Sequence, residues 1–279
     1  MKIAVLSGKG GTGKTFVATN LARVAGKSVY LDCDIEEPNG HLFLNGPILK
    51  EDEVALPIPK VKDELCNGCK DCVEFCRFNA LSYVSNKVMV FDKICHSCGG
   101  CKIVCPQNAI CEEDKVIGHI ESRLYKETSV FTGRLIPGEE SGTSIIHDLY
   151  NKIKDENSTV IVDSPPGSAC IVMDSIKDAD FCLLVAEPTI FGAYNLEMVH
   201  KLVKMYKKPH GVVLNKSSDD FNCSRAYCIE NNIQIFADIP FDKNLGKLNA
   251  EGKLVIEHNI EAKKLFSDLL ERIIKELNL

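Results

Sequence analysis

The sequence lacks three features: an excess of positive charge, an apolar run long enough to span a membrane, and an N-terminal stretch that resembles a signal peptide. The net charge is -6 at pH 7, and no basic patch is interleaved with aromatic residues, which argues against nucleic-acid binding. The first residues enter an apolar strand directly instead of forming a leader. We therefore expect a cytoplasmic protein with neither nucleic acid nor a membrane as a partner.

What the sequence does contain is apolar residues and cysteine. Its 279 residues are 45% hydrophobic, enough for one large α/β domain or two smaller ones. Fourteen cysteines without a secretory signal indicate metal or redox chemistry and not disulfides.

A glycine-rich stretch, S-G-K-G-G-T-G-K-T, occupies residues 7–15 and matches G-x-x-x-x-G-K-[ST]. An apolar run precedes it and a helical apolar pattern follows, so a bare glycine turn without a ligand is the weaker interpretation. The motif predicts a loop whose N–H groups surround phosphates, with Lys14 reaching the β- and γ-phosphates and Thr15 holding Mg²⁺. The predicted nucleotide-binding residues here are Gly8, Lys9, Gly10, Gly11, Thr12, Gly13, Lys14, Thr15 and Phe16.

The second lysine of the loop, Lys9, gives the form K-G-G-T-G-K-T. This form resembles the deviant Walker A motif of the MinD/ParA family of P-loop ATPases. The resemblance implies a nucleotide-dependent homodimer in which Lys9 reaches the partner's nucleotide. A solvated loop lysine is the alternative.

Two acidic strand ends are similar to the switch regions of that family. Asp32-Cys33-Asp34 follows the apolar strand 28–31, and Asp163-Ser164-Pro165-Pro166-Gly167 follows the apolar strand 159–162. The resemblance implies that Asp34 orients the attacking water, that Asp32 lies near Mg²⁺, and that Asp163 holds Mg²⁺ through water. With Lys9 and Lys14, Asp34 and Asp163 are the predicted catalytic residues. Such positioning suits phosphoryl transfer.

The base site is also implied by the resemblance. Asn215 follows the apolar strand 211–214 and is expected to read the adenine edge, while Pro240, in D-I-P-F-D, is expected to flank the base. ATP is favoured over GTP because Ser218 stands where a guanine-specific N-K-x-D motif has aspartate.

The cysteines form two identical C-x₂-C-x₂-C-x₃-C runs, 29 residues apart. This spacing is typical of bacterial two-cluster ferredoxins, in which the fourth cysteine of each run ligates the other cluster. Zinc is the alternative for C-x₂-C pairs, and two matching quartets make it the weaker one. The spacing predicts two [4Fe–4S] clusters, one held by Cys66, Cys69, Cys72 and Cys105 and the other by Cys95, Cys98, Cys101 and Cys76.

These patterns predict a doubly wound, mostly parallel α/β sheet of P-loop NTPase type carrying an inserted two-cluster ferredoxin-like α+β module. The predicted division is 1–56 for the first part of the ATPase domain, 57–114 for the insert and 115–279 for the second part. Residues 47–62, which contain three prolines, are expected to be a linker, and a helix is expected from the glycine loop at 137–142 to about Asn157. The amphipathic segment 261–277 mixes both charges on its polar face, so we expect it to pack on the sheet and not on a membrane.

Three functions remain open at this stage: an ATP-driven electron-transfer protein, an iron–sulfur assembly or carrier ATPase of Mrp type, and a positioning ATPase with structural clusters. The first implies an unidentified redox partner protein or partner ATPase. Cys170 lies where the nitrogenase iron protein has a dimer-bridging cluster ligand, but residues 134–142 contain no cysteine to match its other ligand, so a small buried thiol is the simpler interpretation. The x₄ spacing of Cys223 and Cys228 weakens the carrier interpretation.

Overall fold

The computed structural model of the chain describes residues 1–140, 142–154, 156–217 and 222–278. The strands are β1 (Lys2–Leu6), β2 (Ser28–Asp32), β3 (Ile48–Val61), β4 (Leu81–Val84), β5 (Lys87–Val90), β6 (Ile110–Tyr125), β7 (Thr128–Leu135), β8 (Thr159–Asp163), β9 (Phe181–Ala186), β10 (His210–Ser217) and β11 (Ile235–Pro240). The helices are α1 (Lys14–Val24), α2 (Gly40–Phe43), α3 (Asp71–Phe75), α4 (Gly100–Ile103), α5 (Thr143–Lys152), α6 (Cys170–Ile176), α7 (Ile190–Met205), α8 (Cys223–Glu230), α9 (Lys243–Ala250) and α10 (Ile260–Glu276).

The main sheet has the strand order β11-β10-β9-β1-β8-β2-β7-β6-β3. From β11 to β7, each neighbouring pair of strands is parallel. Parallel neighbours require crossover connections, and the helices that lie between these strands in the chain supply them. The predicted α/β class with a mostly parallel sheet is confirmed.

The centre of the sheet is covered on both faces, because successive side chains of a strand point to opposite faces and all of Ile3–Leu6 are buried. On one face, α1 and α10 close the core, with the rings of Phe16 and Phe266 in edge-to-face contact at 5.9 Å. The apolar stripe of α10 therefore packs inside the protein, as the sequence predicts. No helix within the described residues is long and apolar enough to cross a membrane.

Two predictions about secondary structure are wrong. The expected linker at 47–62 is the strand β3, which lies at the edge of the sheet. Pro57 and Pro59 are tolerated there because an edge strand leaves N–H positions that need no ladder partner. The helix expected to reach about Asn157 is α5, which ends at Lys152.

The chain forms two compact units. The P-loop unit comprises Met1–Asp52, Ile120–Arg134 and Ile145–Leu279, and the cysteine unit comprises Glu53–His119 and Leu135–Ser144. Within the cysteine unit, β4 and β5 form an antiparallel pair, and a small core contains Cys72, Leu81 and Val88. The predicted three-part domain division stays a prediction.

Candidate functional site

A cavity of about 620 Å³ opens in the P-loop unit at the carboxyl ends of β1, β2 and β8. This is the edge of a parallel sheet where ligands bind in doubly wound folds. The side chains that the sequence assigns to phosphate and water chemistry meet there. The predicted residues lining the cavity are Lys9, Gly10, Gly11, Gly13, Lys14, Thr15, Phe16 and Asp34.

Gly13, the residue before α1, fixes the shape of the loop. Its φ is 93°, and a Cβ at this position would lie 2.1 Å from Nδ2 of Asn215. That amide is itself buried and donates a 2.7 Å hydrogen bond to the carbonyl of Thr12. Only glycine fits here, and its absence of a side chain lets Asn215 hold the phosphate loop against β10.

The two predicted base residues, Asn215 and Pro240, line a second cavity of about 180 Å³. Phe16, Asn215 and Pro240 share its wall with the exposed ring of Phe241, which the sequence analysis missed. The structure therefore brings these residues together beside the phosphate loop, and the contact of Asn215 and Pro240 with a base stays a prediction. Ser218, on which the preference for ATP over GTP depends, lies outside the described residues.

Lys14 lies within a group of aspartates. Its Nζ is 2.6 Å from Oδ1 of Asp163 and 3.4 Å from Oδ2 of Asp34, and its side chain is only 5% exposed. Burial lowers the pKa of Lys14, but Asp163 and Asp34 outweigh this effect and raise it above the usual value. Burial, then the neighbouring Asp163, raises the pKa of Asp32 to about 8, and burial raises that of Asp34 although Lys14 counteracts it.

This group of charges fits a nucleotide with a divalent cation. One lysine cannot neutralise three aspartates, so a bound cation would stabilise the buried negative charge that Lys14 does not compensate. Among the described residues, the buried hydroxyl oxygens of Thr12 and Ser164 find no hydrogen-bond partner, and both residues neighbour the same site. Mg²⁺ commonly takes one or two carboxylates plus phosphate and water oxygens and needs no cage of protein ligands. Thr15, Asp32 and Asp163 are therefore compatible with the predicted metal role.

Tyr30, in the middle of β2, is a site residue that the sequence analysis missed. Its buried hydroxyl donates a 2.7 Å hydrogen bond to Oδ2 of Asp163. Burial raises its pKa well above the usual value, so the hydroxyl keeps its proton. A tyrosine inside an otherwise apolar strand is the signal that could have found it, because a buried phenol needs a polar partner.

Lys9 makes its contact within the chain. Its Nζ lies 2.7 Å from Oε2 of Glu187, and Nζ of Lys216 lies 2.7 Å from the other oxygen of the same carboxylate. Lys216 also donates to the carbonyl of Gly11. Glu187, just after β9, thus links Lys9 of the phosphate loop to Lys216. The predicted role of Lys9 in a partner's site stays a prediction.

The eight cysteines of the two runs line two separate cavities in the cysteine unit. One cavity is small, about 10 Å³, and its wall contains Cys66, Cys69, Cys72 and Cys105. The other is about 230 Å³, and its wall contains Cys76, Cys95, Cys98 and Cys101. Each cavity therefore has three cysteines from one run and the fourth cysteine from the other.

The backbone of the two runs repeats with the sequence. Positive φ angles occur in pairs of residues 29 positions apart: Gly68 (74°) and Ser97 (50°), Lys70 (69°) and Gly99 (70°), and Asn79 (55°) and Asn108 (48°). The N–H of Ala80 donates to Sγ of Cys76, and that of Ala109 to Sγ of Cys105, both at 3.3 Å. The runs are thus two copies of one local structure.

The donor set is chemically suited to iron–sulfur clusters, because four thiols face each cavity. Burial raises the pKa of Cys72 and of Cys101, and neighbouring sulfurs add to this effect. Both groups therefore favour the thiol when no metal is bound, and a metal cation would favour the thiolate. In the described part of the chain, no three His, Cys, Asp or Glu side chains are grouped so as to hold a metal ion. The two ligand sets therefore stay predictions.

The remaining cysteines are placed differently. Cys111 lines neither cavity, and its thiol points to the carbonyl of Lys60. Cys170 is exposed at the start of α6, which contradicts its interpretation as a small buried thiol; that interpretation assumed an interior position that the first turn of this helix does not have. Cys223 and Cys228 lie on one helix, α8.

Comparison with known proteins agrees with this site. The sequence matches the CbiA family, described as the CobQ/CobB/MinD/ParA nucleotide binding domain, over residues 3–255. The uncharacterized protein MJ0578 of Methanocaldococcus jannaschii is 31% identical over 278 residues, which cover 98% of this chain and 96% of that protein.

Two solved structures are similar in fold. The cell division ATPase MinD of Pyrococcus furiosus has a TM-score of 0.62 at 21% identity, with 98% of each chain covered. The septum site-determining protein MinD of Pyrococcus horikoshii, solved with Mg-ADP, has a TM-score of 0.61 at 18% identity, covering 98% of this chain and 95% of that one. The chain therefore belongs to the CobQ/CobB/MinD/ParA nucleotide-binding family.

Proposed function

We propose that the protein binds and hydrolyses ATP with Mg²⁺ and carries two [4Fe–4S] clusters, coupling a nucleotide-dependent dimer switch to electron transfer. The observation that carries the proposal is the sorting of the eight cysteines around two cavities, in the same chain as a complete phosphate loop. The Mg-ADP bound by a protein of similar fold supports the choice of ligand.

The phosphate loop suggests how hydrolysis proceeds. Lys14, now held by Asp163 and Asp34, exchanges these carboxylates for the β- and γ-phosphates of an incoming nucleotide. This exchange frees Oδ2 of Asp34 to accept a hydrogen bond from the attacking water and so orient it. It also frees Oδ1 of Asp163 for a water of the cation. Thr15, at the start of α1, supplies a hydroxyl on the same side.

The loop after β8 is suited to sense the γ-phosphate. The N–H of Gly167 donates to the carbonyl of Ser7 at 2.9 Å, and the residue has a φ of 96°. A γ-phosphate in the cavity offers this N–H a charged acceptor instead. Loops that order on the γ-phosphate and relax after hydrolysis are the usual device of nucleotide switches. Pro165 and Pro166 line the cavity and stiffen the same loop.

In the cysteine unit, Cys66, Cys69, Cys72 and Cys105 would hold one cluster, and Cys76, Cys95, Cys98 and Cys101 the other. Such clusters supply one-electron transfer at potentials set by hydrogen bonds to sulfur and by solvent exposure. The N–H donors of Ala80 and Ala109 are placed to stabilise negative charge on Cys76 and Cys105. The larger cavity, around Cys76, suggests the more accessible of the two redox sites.

A homodimer through the nucleotide face and a redox partner complete the proposal. Lys9 is 36% exposed, so a partner's phosphates have access to it once Glu187 releases it. Lys9 belongs to the loop that would bind the nucleotide. Dimer formation through Lys9 and nucleotide binding would therefore depend on each other. The cluster-bearing unit would then deliver electrons to a separate redox protein or partner ATPase.

The decisive experiment replaces single cysteines and follows each cluster by EPR after anaerobic reconstitution. We expect Cys66→Ser and Cys105→Ser to perturb the same signal, and Cys76→Ser and Cys95→Ser to perturb the other. Cys111→Ser is the matched control, because this thiol lies in the same unit and lines neither cavity.

The outcomes separate the alternatives. Pairing of the signals by run instead of across runs, or reconstitution with zinc alone, would refute the assignment. Clusters that leave the protein for an apo-ferredoxin faster than they exchange electrons would favour a cluster-carrier ATPase. Mg²⁺-dependent ATP turnover that Lys14→Ala abolishes is the expected result for the nucleotide half of the proposal.

A further inference from the structure

Tyr30 has no part in the roles proposed above, yet its hydroxyl is hydrogen bonded to a residue at the centre of the site. The two oxygens of Asp163 have different partners: Oδ1 faces Lys14 at 2.6 Å and Oδ2 accepts from the Tyr30 hydroxyl at 2.7 Å. Tyr30 and Asp163 have no exposed surface, so bulk water reaches neither bond while Lys14 stays in place. An oxygen that lost its donor here would be left unpaired in the interior.

We expect nucleotide binding to break the bond of Asp163 to Lys14 and to keep its bond to Tyr30. Lys14 is expected to leave Oδ1 for the phosphates, whereas Tyr30 is part of β2 and stays in place. The parallel register of β2 and β8, with Asp32 opposite Asp163, fixes the distance between the two side chains. One oxygen of the carboxylate therefore stays anchored while the other changes partner.

Tyr30 also contacts the loop that follows Asp34. A Cβ on Gly40, the first residue of α2, would lie 2.1 Å from the Tyr30 hydroxyl, so the ring packs directly against the backbone there. The N–H of Gly40 donates to Oδ2 of Asp32 at 2.9 Å. The phenol thus lies between Asp163, at the start of one predicted switch, and Gly40, six residues after Asp34 of the other.

We propose that Tyr30 is a positioning residue for the ATPase site: its hydroxyl holds Asp163 by Oδ2 so that Oδ1 alone faces the cation water, and its ring ties this carboxylate to Gly40. The inference rests on the proposed function. Tyr30, on the second strand, thus orients the carboxylate proposed to hold Mg²⁺ through water. The fit of the ring against Gly40 is then also a requirement for Mg²⁺ binding.

The test measures ADP binding by titration calorimetry, with and without Mg²⁺, on the full-length protein. Tyr30→Phe keeps the ring and removes only the hydroxyl. We expect the Mg²⁺ concentration for half-maximal enhancement of ADP binding to rise about tenfold, the size expected for one hydrogen bond to a charged group. Binding of Mg²⁺-free ADP should stay within about twofold, because the phosphate loop itself is unchanged.

Tyr150→Phe is the matched control. It also removes a tyrosine hydroxyl, one that donates to the carbonyl of Ser175 at 2.5 Å and takes no part in the nucleotide site. Its Mg²⁺ dependence should equal that of the wild type. A second variant, Gly40→Ala, pushes a methyl group into the phenol and should raise the Mg²⁺ requirement as well. Added to Tyr30→Phe, it should bring a further loss, because the new Cβ would still lie 2.3 Å from Cε1 of the ring, which phenylalanine keeps.

The results can separate this inference from the proposed function. If the wild type binds Mg-ADP and Tyr30→Phe has the same Mg²⁺ dependence, the positioning role is wrong and the ATPase proposal stands. An equal effect of Tyr150→Phe would also overturn the role. If the wild type shows no Mg²⁺-dependent ADP binding, both proposals fail.

Discussion

Replacing Lys14 by methionine in the nucleotide-free protein tests the charge balance of the site. Lys14 is the cation nearest to Asp163 and Asp34, and the pair with Asp163 is buried on both sides. Removing one member of a buried ion pair typically costs about 3–5 kcal/mol, because the other charge is left without compensation. For a chain of this size we expect the melting temperature to fall by about 6–20 °C.

The loss should depend on pH in a defined direction. Burial already raises the pKa of Asp32 to about 8 and raises that of Asp34, so these carboxyls bind protons more tightly when folded than when unfolded. A raised carboxyl pKa favours the folded state at low pH, and this advantage is lost as pH rises from the unfolded to the folded value. Without Lys14, additional proton uptake should recover about 2–3 kcal/mol between pH 7.5 and 5.5.

The assay is thermal unfolding of both proteins at pH 7.5 and 5.5, without nucleotide or Mg²⁺. Lys253→Met is the control, because Lys253 pairs with Glu251 at 2.8 Å on the surface and its loss should leave the melting temperature unchanged within error. The reasoning is refuted if Lys14→Met is as stable as the wild type at pH 7.5. A loss of equal size at both pH values would refute the titration argument.

Three further predictions concern other residues. Glu187→Gln should free Lys9 and lower the protein concentration needed for ATP-dependent dimerisation, as measured by sedimentation, and an unchanged concentration would contradict the role of Glu187 as a restraint. Burial, then His210, lowers the pKa of His200 to about 4, so this residue should lower folding stability by about 1.4 kcal/mol per pH unit as the pH falls from about 6.5 to about 4. Urea unfolding should show this slope in the wild type and a flatter one in His200→Gln. Arg77→Glu should lower the potential of the cluster that Cys76 ligates and leave the other unchanged in an EPR redox titration, since Arg77 lines only the larger cavity.

Much of the fold follows from local sequence signals. The strand before the phosphate loop and the helix after it were readable because an apolar run, a glycine loop and helical spacing occur in succession. β3 was misread because Pro57 and Pro59 are compatible with either a linker or an edge strand, and only the sheet order decides between them. β7 was missed because its residues 128–132, T-S-V-F-T, do not form a clear apolar run.

The residues of the candidate site also differ in how far the sequence alone predicts them. Lys14, Asp34 and Asp163 belong to motifs of fixed spacing, and the structure brings them together. Tyr30 and Glu187 belong to no such motif. Their partners are 133 and 178 positions away, so their roles depend on the strand register and on the loops that the sheet places side by side. The pairing of the cysteines across the two runs was accessible only because the spacing is itself a known pattern.

The central claim is that one chain couples ATP to two iron–sulfur clusters. The most direct measurement is EPR-monitored redox potentiometry of the anaerobically reconstituted protein without nucleotide, with Mg-ADP and with Mg-ATP. Lys14→Ala serves as the blank. We predict that Mg-ATP shifts the potential of at least one cluster in the wild type and not in the variant. Identical potentials in all three nucleotide states, with both clusters present and ATP bound, would contradict the coupling.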